Sequence, residues 1–165
     1  MGSSARTPTS GLTDVVLRQA TAADLPEVAA LERVCYGDPW PASAFASLPD
    51  NARVFFAVAR KDVRDRLAGY VVAWYVMDEG ELANLAVAPD LRGQGIGRTL
   101  LDAVLSDAES RGTAQLYLEV RESNQPARQL YATRRFEEVG RRKRYYRSPT
   151  EDALILRRTL KPKLN

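Results

Sequence analysis

The 165-residue chain contains no histidine. That absence removes Ser-His-Asp and Cys-His catalysis, histidine-ligated zinc and the most frequent general base. Acid–base chemistry must therefore fall to Glu, Asp, Lys, Tyr, Cys or a terminal amine. Cysteine is scarce as well. Cys35 stands alone, which excludes an internal disulfide framework and makes a reducing, cytoplasmic setting the expectation. No metal site is expected. No apolar run approaches the ~20 residues of a membrane span, so no membrane partner is expected either.

The polar opening, residues 1–13, lacks the apolar core of a secretion signal and reads as a disordered tail. Residues 161–165 read as a second tail, and 14–160 as one domain. The formal charge of +3 is too mild to argue for nucleic acid, although "RRFEEVGRRKRYYR" gathers basic residues near the C-terminus. Hydrophobic residues make up 45% of the chain and charged residues 27%, as in an ordinary globular protein.

Periodicity predicts a strand over Val15–Ala20, then a helix through "AADLPEVAALERVCY" capped by Thr21. "GDPWPASAFASLPD" carries three prolines around a short helical segment. "RVFFAVAR", "LAGYVVAWYVM" and "GELANLAVAP" are β-branched or aromatic and read as strands, with "KDVRD" supplying a turn. Ile96, Leu100, Leu101, Val104, Leu105 and Ala108 share one helical face, which Gly112 ends. "AQLYLEV" reads as a central strand. A further helix starts at Ser123 or Asn124 with Pro126 in its first turn. "RFEEVGRRKRYYR" and "EDALILRRTL" close the domain as strands. The fold class is mixed α/β with at least one β-α-β crossover.

"PDLRGQGIGRTLL" places Gly93, Gly95 and Gly97 at a strand-to-helix junction. It is neither a dinucleotide fingerprint nor a Walker A loop. It still joins a strand end, permissive backbone and a helix N-terminus, which together suit a pyrophosphate, with Arg92 and Arg98 adding charge. The same glycines also suit a turn that lets a helix pack on a sheet.

"LRGQGIGRTLL" resembles the acyl-CoA loop of the GCN5-related N-acetyltransferases (GNAT), whose signature is Arg/Gln-x-x-Gly-x-Gly/Ala. Arg92, Gly95 and Gly97 fill its places. "LEVRESN" at Leu118–Asn124, the pair Leu130–Tyr131 and the early "DPW" at Asp38–Trp40 resemble the RimI type, the bacterial ribosomal-protein alanine N-acetyltransferases. The likeness runs from the first strand to "DALIL". It implies a mixed, mostly antiparallel central sheet with flanking helices and a splayed acyl-CoA cleft. It implies acetyl-CoA as co-substrate, held by Leu85, Ala86, Val87, Arg92, Gly93, Gln94, Gly95, Ile96, Gly97, Arg98 and Asn124. It also implies a bulge that frees backbone groups of Leu85–Val87. Asn124 is equally suited to cap a helix.

A strand carboxylate beside an amine can take its proton, and a tyrosine with a reference pKa of about 10 can return one to a leaving thiolate. Glu119 and Tyr131 are the candidates, and the resemblance gives them the roles of general base and general acid. Apart from the resemblance, Glu119 reads as a surface strand residue and Tyr131 as a core aromatic. Trp40, Glu81 and Tyr145 are candidate acceptor contacts, with Asp38, Pro39, Glu79 and Tyr146 nearby; packing or solvated turns explain each as well. Arg141–Arg144 suits RNA, the CoA phosphate or a solvated edge strand. Two departures stand out. Arg135 occupies the family's glycine position, so the helix must end without a glycine cap, and Gly93 replaces a basic or polar residue.

The implied substrate is the N-terminal alanine of a ribosomal protein of the small-subunit S18 kind, with no direct nucleic-acid partner. A lysine side chain or small-molecule amine is the second reading. A non-enzymatic RNA-binding module is the third, and a silent acyl-CoA sensor the fourth.

Overall fold

The computed structural model describes residues 15–61 and 65–160. The two expected tails and most of the "KDVRD" turn lie outside the described residues. In chain order the elements are β1 (Val15–Gln19), α1 (Leu25–Cys35), β2 (Val54–Lys61), β3 (Arg66–Val76), β4 (Glu79–Val87), α2 (Ile96–Ser110), β5 (Gln115–Arg121), α3 (Gln125–Thr133), β6 (Glu137–Arg147) and β7 (Thr150–Thr159). They form one seven-stranded sheet in the order β1-β2-β3-β4-β5-β7-β6. Neighbours run antiparallel except β4 and β5, whose parallel pairing is bridged by α2 as the expected β-α-β crossover.

Two cores flank the sheet. On one face, Val28 and Ala29 of α1 pack with Phe45, Phe56, Val58, Tyr70 and Val72. On the other, the α2 face Ile96, Leu100, Leu101, Val104, Leu105 and Ala108 packs on Val71, Ala73, Leu116 and Leu118, as its periodicity requires. Ala127, Leu130 and Tyr131 of α3 join this second core.

Helix α1 begins later than its sequence signal. A 3-10 turn at Ala22–Asp24 precedes it, and buried Asp24 accepts the Thr21 N–H at 2.8 Å. Asp24 also receives Arg18 and Arg60, and its carboxyl is held well below the usual range, Arg18's hydrogen bond being the largest cause. The segment after "DPW" forms only a 3-10 turn, Ala42–Phe45, which buries Phe45.

The feature that makes the site is local. β4 and β5 pair from Glu79↔Gln115 only to Leu82↔Leu118. On the other side of β4, Val72 faces Asn84 while Ala73 faces Leu82, so Ala83 is an extra residue. This β-bulge bends β4 away just where its pairing with β5 stops. The expected splay is therefore present, with Ala83 as its origin.

Candidate active site

The donor side of the splay is built from backbone. Ala88 donates to Ala68 O at 2.8 Å, so by antiparallel alternation Ala86 and Asn84 also bond to β3. Leu85 and Val87 turn their backbone groups the other way, toward the gap. The Leu85 carbonyl accepts the Tyr36 hydroxyl, and the Val87 carbonyl accepts Arg92 Nε at 3.3 Å. Their N–H groups face the same way. Gly93 and Gly95 adopt left-handed conformations, with φ of 78° and 83°. Gly95 is the N-cap of α2 and offers no side-chain cap, so the first N–H groups of this helix are left for a ligand.

Gly97 works differently. It lies within α2, where a Cβ would make ordinary contact with Leu130, Val87 and Leu85 at 3.4 to 3.9 Å, so neither its backbone nor its surroundings demand glycine. Of the loop's glycines, Gly93 and Gly95 turn the chain through left-handed backbone, while Gly97 sits in the first turn of α2. Arg92, Gln94 and Arg98 are exposed beside the loop, and Ile96 is buried beneath it. Cys35 is half-buried, with Arg92 Nη2 at 3.5 Å from its sulfur, and burial pushes its thiol pKa up. Uncapped donors, left-handed glycines and flanking arginines fit a pyrophosphate.

The acceptor side is built from side chains. A cleft of about 350 Å³ opens where β4 and β5 run side by side, lined by Trp74, Glu79, Glu81, Tyr117, Glu119 and Arg142 among others. Alternation explains the wall, since Tyr117, Glu119 and Arg121 share one face of β5 while Leu116, Leu118 and Val120 fill the core. Glu81 accepts Trp74 Nε1 at 3.0 Å, and Trp74 stacks on Trp40 with ring centres 5.7 Å apart. Trp40 is therefore a packing residue behind the cleft, and Asp38 is turned away to the β6–β7 turn. Glu119 accepts Arg142 Nε at 2.7 Å, with side-chain exposures of 18% and 58%, so the arginine is free to move aside. Hydrogen bonding to Glu119, then burial, raises the Tyr145 pKa.

Tyr131 sits outside that cleft lining, 6% exposed on α3. Burial, and then neighbouring Tyr146, hold its pKa above the ordinary tyrosine range. Tyr146 is itself pushed up to about 12, mainly by burial and then by Glu119. Tyr146 packs edge-on against Tyr145, with ring centres 5.1 Å apart. Asn124 caps α3 by accepting the Ala127 N–H at 3.2 Å.

The end of α3 corrects the expectation for Arg135. Phe136 N–H bonds to Tyr131 O and Arg135 N–H to Ala132 O, both at 3.1 Å. This is a Schellman closure with Arg135 itself left-handed at φ 64°. Phe136 then packs edge-on against Tyr131, 5.7 Å between ring centres, and so fixes that ring.

Sequence reasoning missed Tyr36, Glu32, Arg121 and Arg142. Glu32 had a signal, because it follows Val28 by one helical turn on the buried face of α1. It is 1% exposed and accepts Asn84 Nδ2 at 2.7 Å, Trp40 N–H at 3.0 Å and the Tyr70 hydroxyl. The others owe their contacts to distant parts of the chain. Among the described residues, no three His, Cys, Asp or Glu side chains are grouped to hold a metal ion, and no helix is long and apolar enough to cross a membrane.

A family model described as the Acetyltransferase (GNAT) family matches residues 25–136. The chain belongs to the GNAT family and is an N-acetyltransferase. Over 137 residues it is 37% identical to the [ribosomal protein bS18]-alanine N-acetyltransferase of Escherichia coli K12, covering 81% of this chain and 89% of that protein. The protein of the same description from Haemophilus influenzae is 31% identical over 144 residues, 86% of this chain and 96% of the relative. The crystal structure of the Escherichia coli ribosomal-protein-S18-alanine N-acetyltransferase superposes with a TM-score of 0.80 at 32% identity, covering 92% of this chain and 99% of that one. The fold is shared with Arabidopsis thaliana NAA60 in complex with acetyl-CoA, at TM-score 0.78 and 20% identity over 88% and 98% of the two chains.

Proposed function

We propose that this enzyme acetylates the N-terminal alanine of a ribosomal protein of the bS18 kind, with Glu119 as general base and Tyr131 as general acid. The observation that carries the reading is the cleft beside the splay. Its wall holds Glu79, Glu81 and Glu119 against one guanidinium, an acidic surface suited to a cationic N-terminus. The 31–37% identity to the bS18-alanine acetyltransferases supports that choice of amine over a lysine or small-molecule amine.

Acetyl-CoA supplies an acyl carbon activated as a thioester. The α2 N-terminus, Gly93, Gly95, Arg92 and Arg98 are suited to its pyrophosphate, and the free N–H groups of Leu85 and Val87 to its pantetheine and carbonyl. Asn124, the N-cap of α3, is within the same end of the sheet. An α-ammonium has a reference pKa of about 7.7–8.0, so a base must take its proton before attack. The incoming amine displaces Arg142 from Glu119, which accepts the proton. The new N–C bond forms, the C–S bond breaks, Tyr131 gives its proton to the departing sulfur and is reprotonated by the second proton that the nitrogen sheds, and Glu119 releases the first to solvent. Its raised pKa keeps that proton in place at neutral pH.

The basic run does not need a nucleic acid. Arg134 pairs with Asp102, Arg141 with Glu122 and Asp152, and Arg142 with Glu119, so the chain's own carboxylates answer these charges. A ribosomal substrate makes the cytoplasm the place of reaction. The test is mass spectrometry of peptides varied at their first residues after incubation with enzyme and acetyl-CoA. Alanine-leading peptides of the bS18 N-terminus should gain one acetyl group at the α-amine. Acetylation only at lysine, or only on small amines, would refute the assignment.

A further inference from the structure

Arg121 belongs to "LEVRESN", yet the proton chemistry gives it no part. It follows Glu119 by two residues on the same face of β5, about 6.5 Å along the strand. Its Nη1 donates to Pro149 O at 2.9 Å and Glu151 Oε1 at 3.3 Å. Its Nη2 donates to Ser148 O and Asp38 Oδ2, both at 3.2 Å. The guanidinium carbon lies 4.2 Å from the centre of the Tyr146 ring. Asp38 also accepts the N–H groups of Arg147 at 3.0 Å and Ser148 at 3.3 Å. These backbone bonds, Arg147's first, hold the Asp38 carboxyl below its usual range. A Cβ on Gly37 would collide with the Ser148 carbonyl, so loop and turn touch backbone to backbone.

The segment held this way carries Tyr145 and Tyr146. The ladder with β7 is interrupted just before Tyr146 and resumes only for Tyr146 and Arg147. Arg142 pairs with Ala153 and Tyr146 with Glu151, so three residues of β6 stand opposite Asp152 alone. Arg144 is left-handed in that bulge at φ 52°, and its N–H bonds to Asp152 at 2.9 Å. The aromatic pair therefore depends on its far end being fastened. Arg142, paired with Glu119 at 2.7 Å, lies 5.8 Å from the centre of the Tyr145 ring, and Tyr145 packs edge-on against Tyr146 with ring centres 5.1 Å apart.

We propose that Arg121 and Asp38 form a clasp that fastens the Tyr145–Pro149 end of the β6–β7 hairpin across the end of β5, and so positions the acceptor amine between Glu119 and Tyr131. The inference rests on those two roles. Arg121 is a positioning residue, acting through Tyr145 and Tyr146. Arginine suits the task because its planar fork meets four oxygens while its flat face covers a ring; a lysine point charge does neither. The clasp makes no contact with the glycine loop, so its loss should be felt by the acceptor and not by the donor.

The experiment compares full-length Arg121→Gln, Arg121→Lys, Asp38→Asn and the Arg121→Gln/Asp38→Asn double variant. It reads acetyl-CoA affinity, kcat and KM for an alanine-leading peptide, and hydrogen exchange at the Arg147 and Ser148 amides. Arg121→Gln should raise peptide KM about tenfold and lower kcat, with acetyl-CoA affinity held within about twofold. Arg121→Lys should not restore the peptide parameters. Asp38→Asn should act in the same direction but less, and the double variant should be no worse than Arg121→Gln alone, since both cut one clasp. The two amides should exchange faster in each variant. Unchanged peptide parameters, a parallel loss of acetyl-CoA affinity, or additive effects in the double variant would overturn the clasp. Should Arg121→Gln fail to fold, Asp38→Asn, which leaves β5 untouched, decides by the same criteria. A wild-type enzyme inactive on alanine peptides would refute the substrate reading, and the exchange rates would still judge the clasp.

Discussion

The two sides of the cleft are made by different means. On the donor side, Val87 to Ile96 form one continuous stretch, and glycine occupies its left-handed positions, Gly93 and Gly95. The polar groups offered there are backbone N–H groups, which any sequence with those turns would present. On the acceptor side, left-handed backbone occurs at Met77 and Arg144 without glycine, and the contacts span the chain: Asp38 and Arg147 are 109 residues apart. The working groups there are carboxylates, arginines and tyrosines. A donor shared by a whole family can be met by a fixed backbone device. An acceptor that differs between members is met by side chains, which substitution can change without disturbing the first device.

The sharpest way to break this comparison is at the two proposed proton carriers, Glu119 and Tyr131. Glu119→Gln and Tyr131→Phe should each lower kcat by about 10²–10⁴-fold, the usual worth of a positioned acid or base, with acetyl-CoA affinity unchanged. Their pH behaviour should differ from that of a freely titrating phenol. Because burial raises the Tyr131 pKa, its proton is retained while the amine loses its own. Wild-type activity should therefore show no loss from Tyr131 deprotonation up to a pH of about 10, the reference tyrosine value. Tyr131→Phe should lower the rate without reshaping the profile. Steady-state kinetics from pH 6 to 10 read both effects, and a wild-type alkaline limb missing in Tyr131→Phe would count against the assignment.

A smaller effect comes from a residue that touches both sides. Glu32 accepts Asn84, next to the bulged Ala83 of the donor strand, and the N–H of Trp40, behind the acceptor cleft. Glu32→Ala removes the acceptor of the Tyr70 hydroxyl, the Asn84 amide and the Trp40 N–H, leaving Asn84 its longer bond to the Tyr70 oxygen at 3.4 Å, and should cost about 2–4 kcal/mol. Urea unfolding checks the stability. The folded fraction should show weaker binding of acetyl-CoA and of peptide together, unlike a clasp variant. Loss confined to one ligand would mean that Glu32 serves that side alone.

What could be read from the sequence follows the same division. Every strand and helix was legible, most of them from regular core faces such as Ile96, Leu100 and Val104 or from β-branched and aromatic runs, although β6 buries none of its residues. The donor loop was legible because local backbone needs leave glycines behind. Glu119 and Tyr131 were visible only through a family resemblance, since a strand glutamate and a helix tyrosine carry no mark of their own. Arg121, Arg142 and Tyr36 were not legible as site residues. Their partners, Ser148, Glu119 and the Leu85 carbonyl, are set by tertiary contact.

The smallest effect tests the rule that glycine marks turned backbone. Helices α2 and α3 end in the same Schellman closure, one with Gly112 at φ 72° and the other with Arg135 at φ 64°. A non-glycine residue pays about 1–2 kcal/mol for that conformation. Arg135 is exposed, with no side-chain hydrogen bond found to a described residue, so its side chain offsets little of the cost. Glycine would relieve the strain but enlarge the unfolded ensemble, which subtracts about 0.4–1 kcal/mol. Arg135→Gly should therefore stabilise the fold by roughly 0.5–1 kcal/mol, seen as a higher urea midpoint with an unchanged slope. Arg135→Ala keeps the Cβ and should gain nothing, and Gly112→Ala should lose about what Arg135→Gly gains. Equal stability for the glycine and alanine variants at position 135 would show that the residue there, and not the backbone turn, governs how Phe136 is brought against Tyr131.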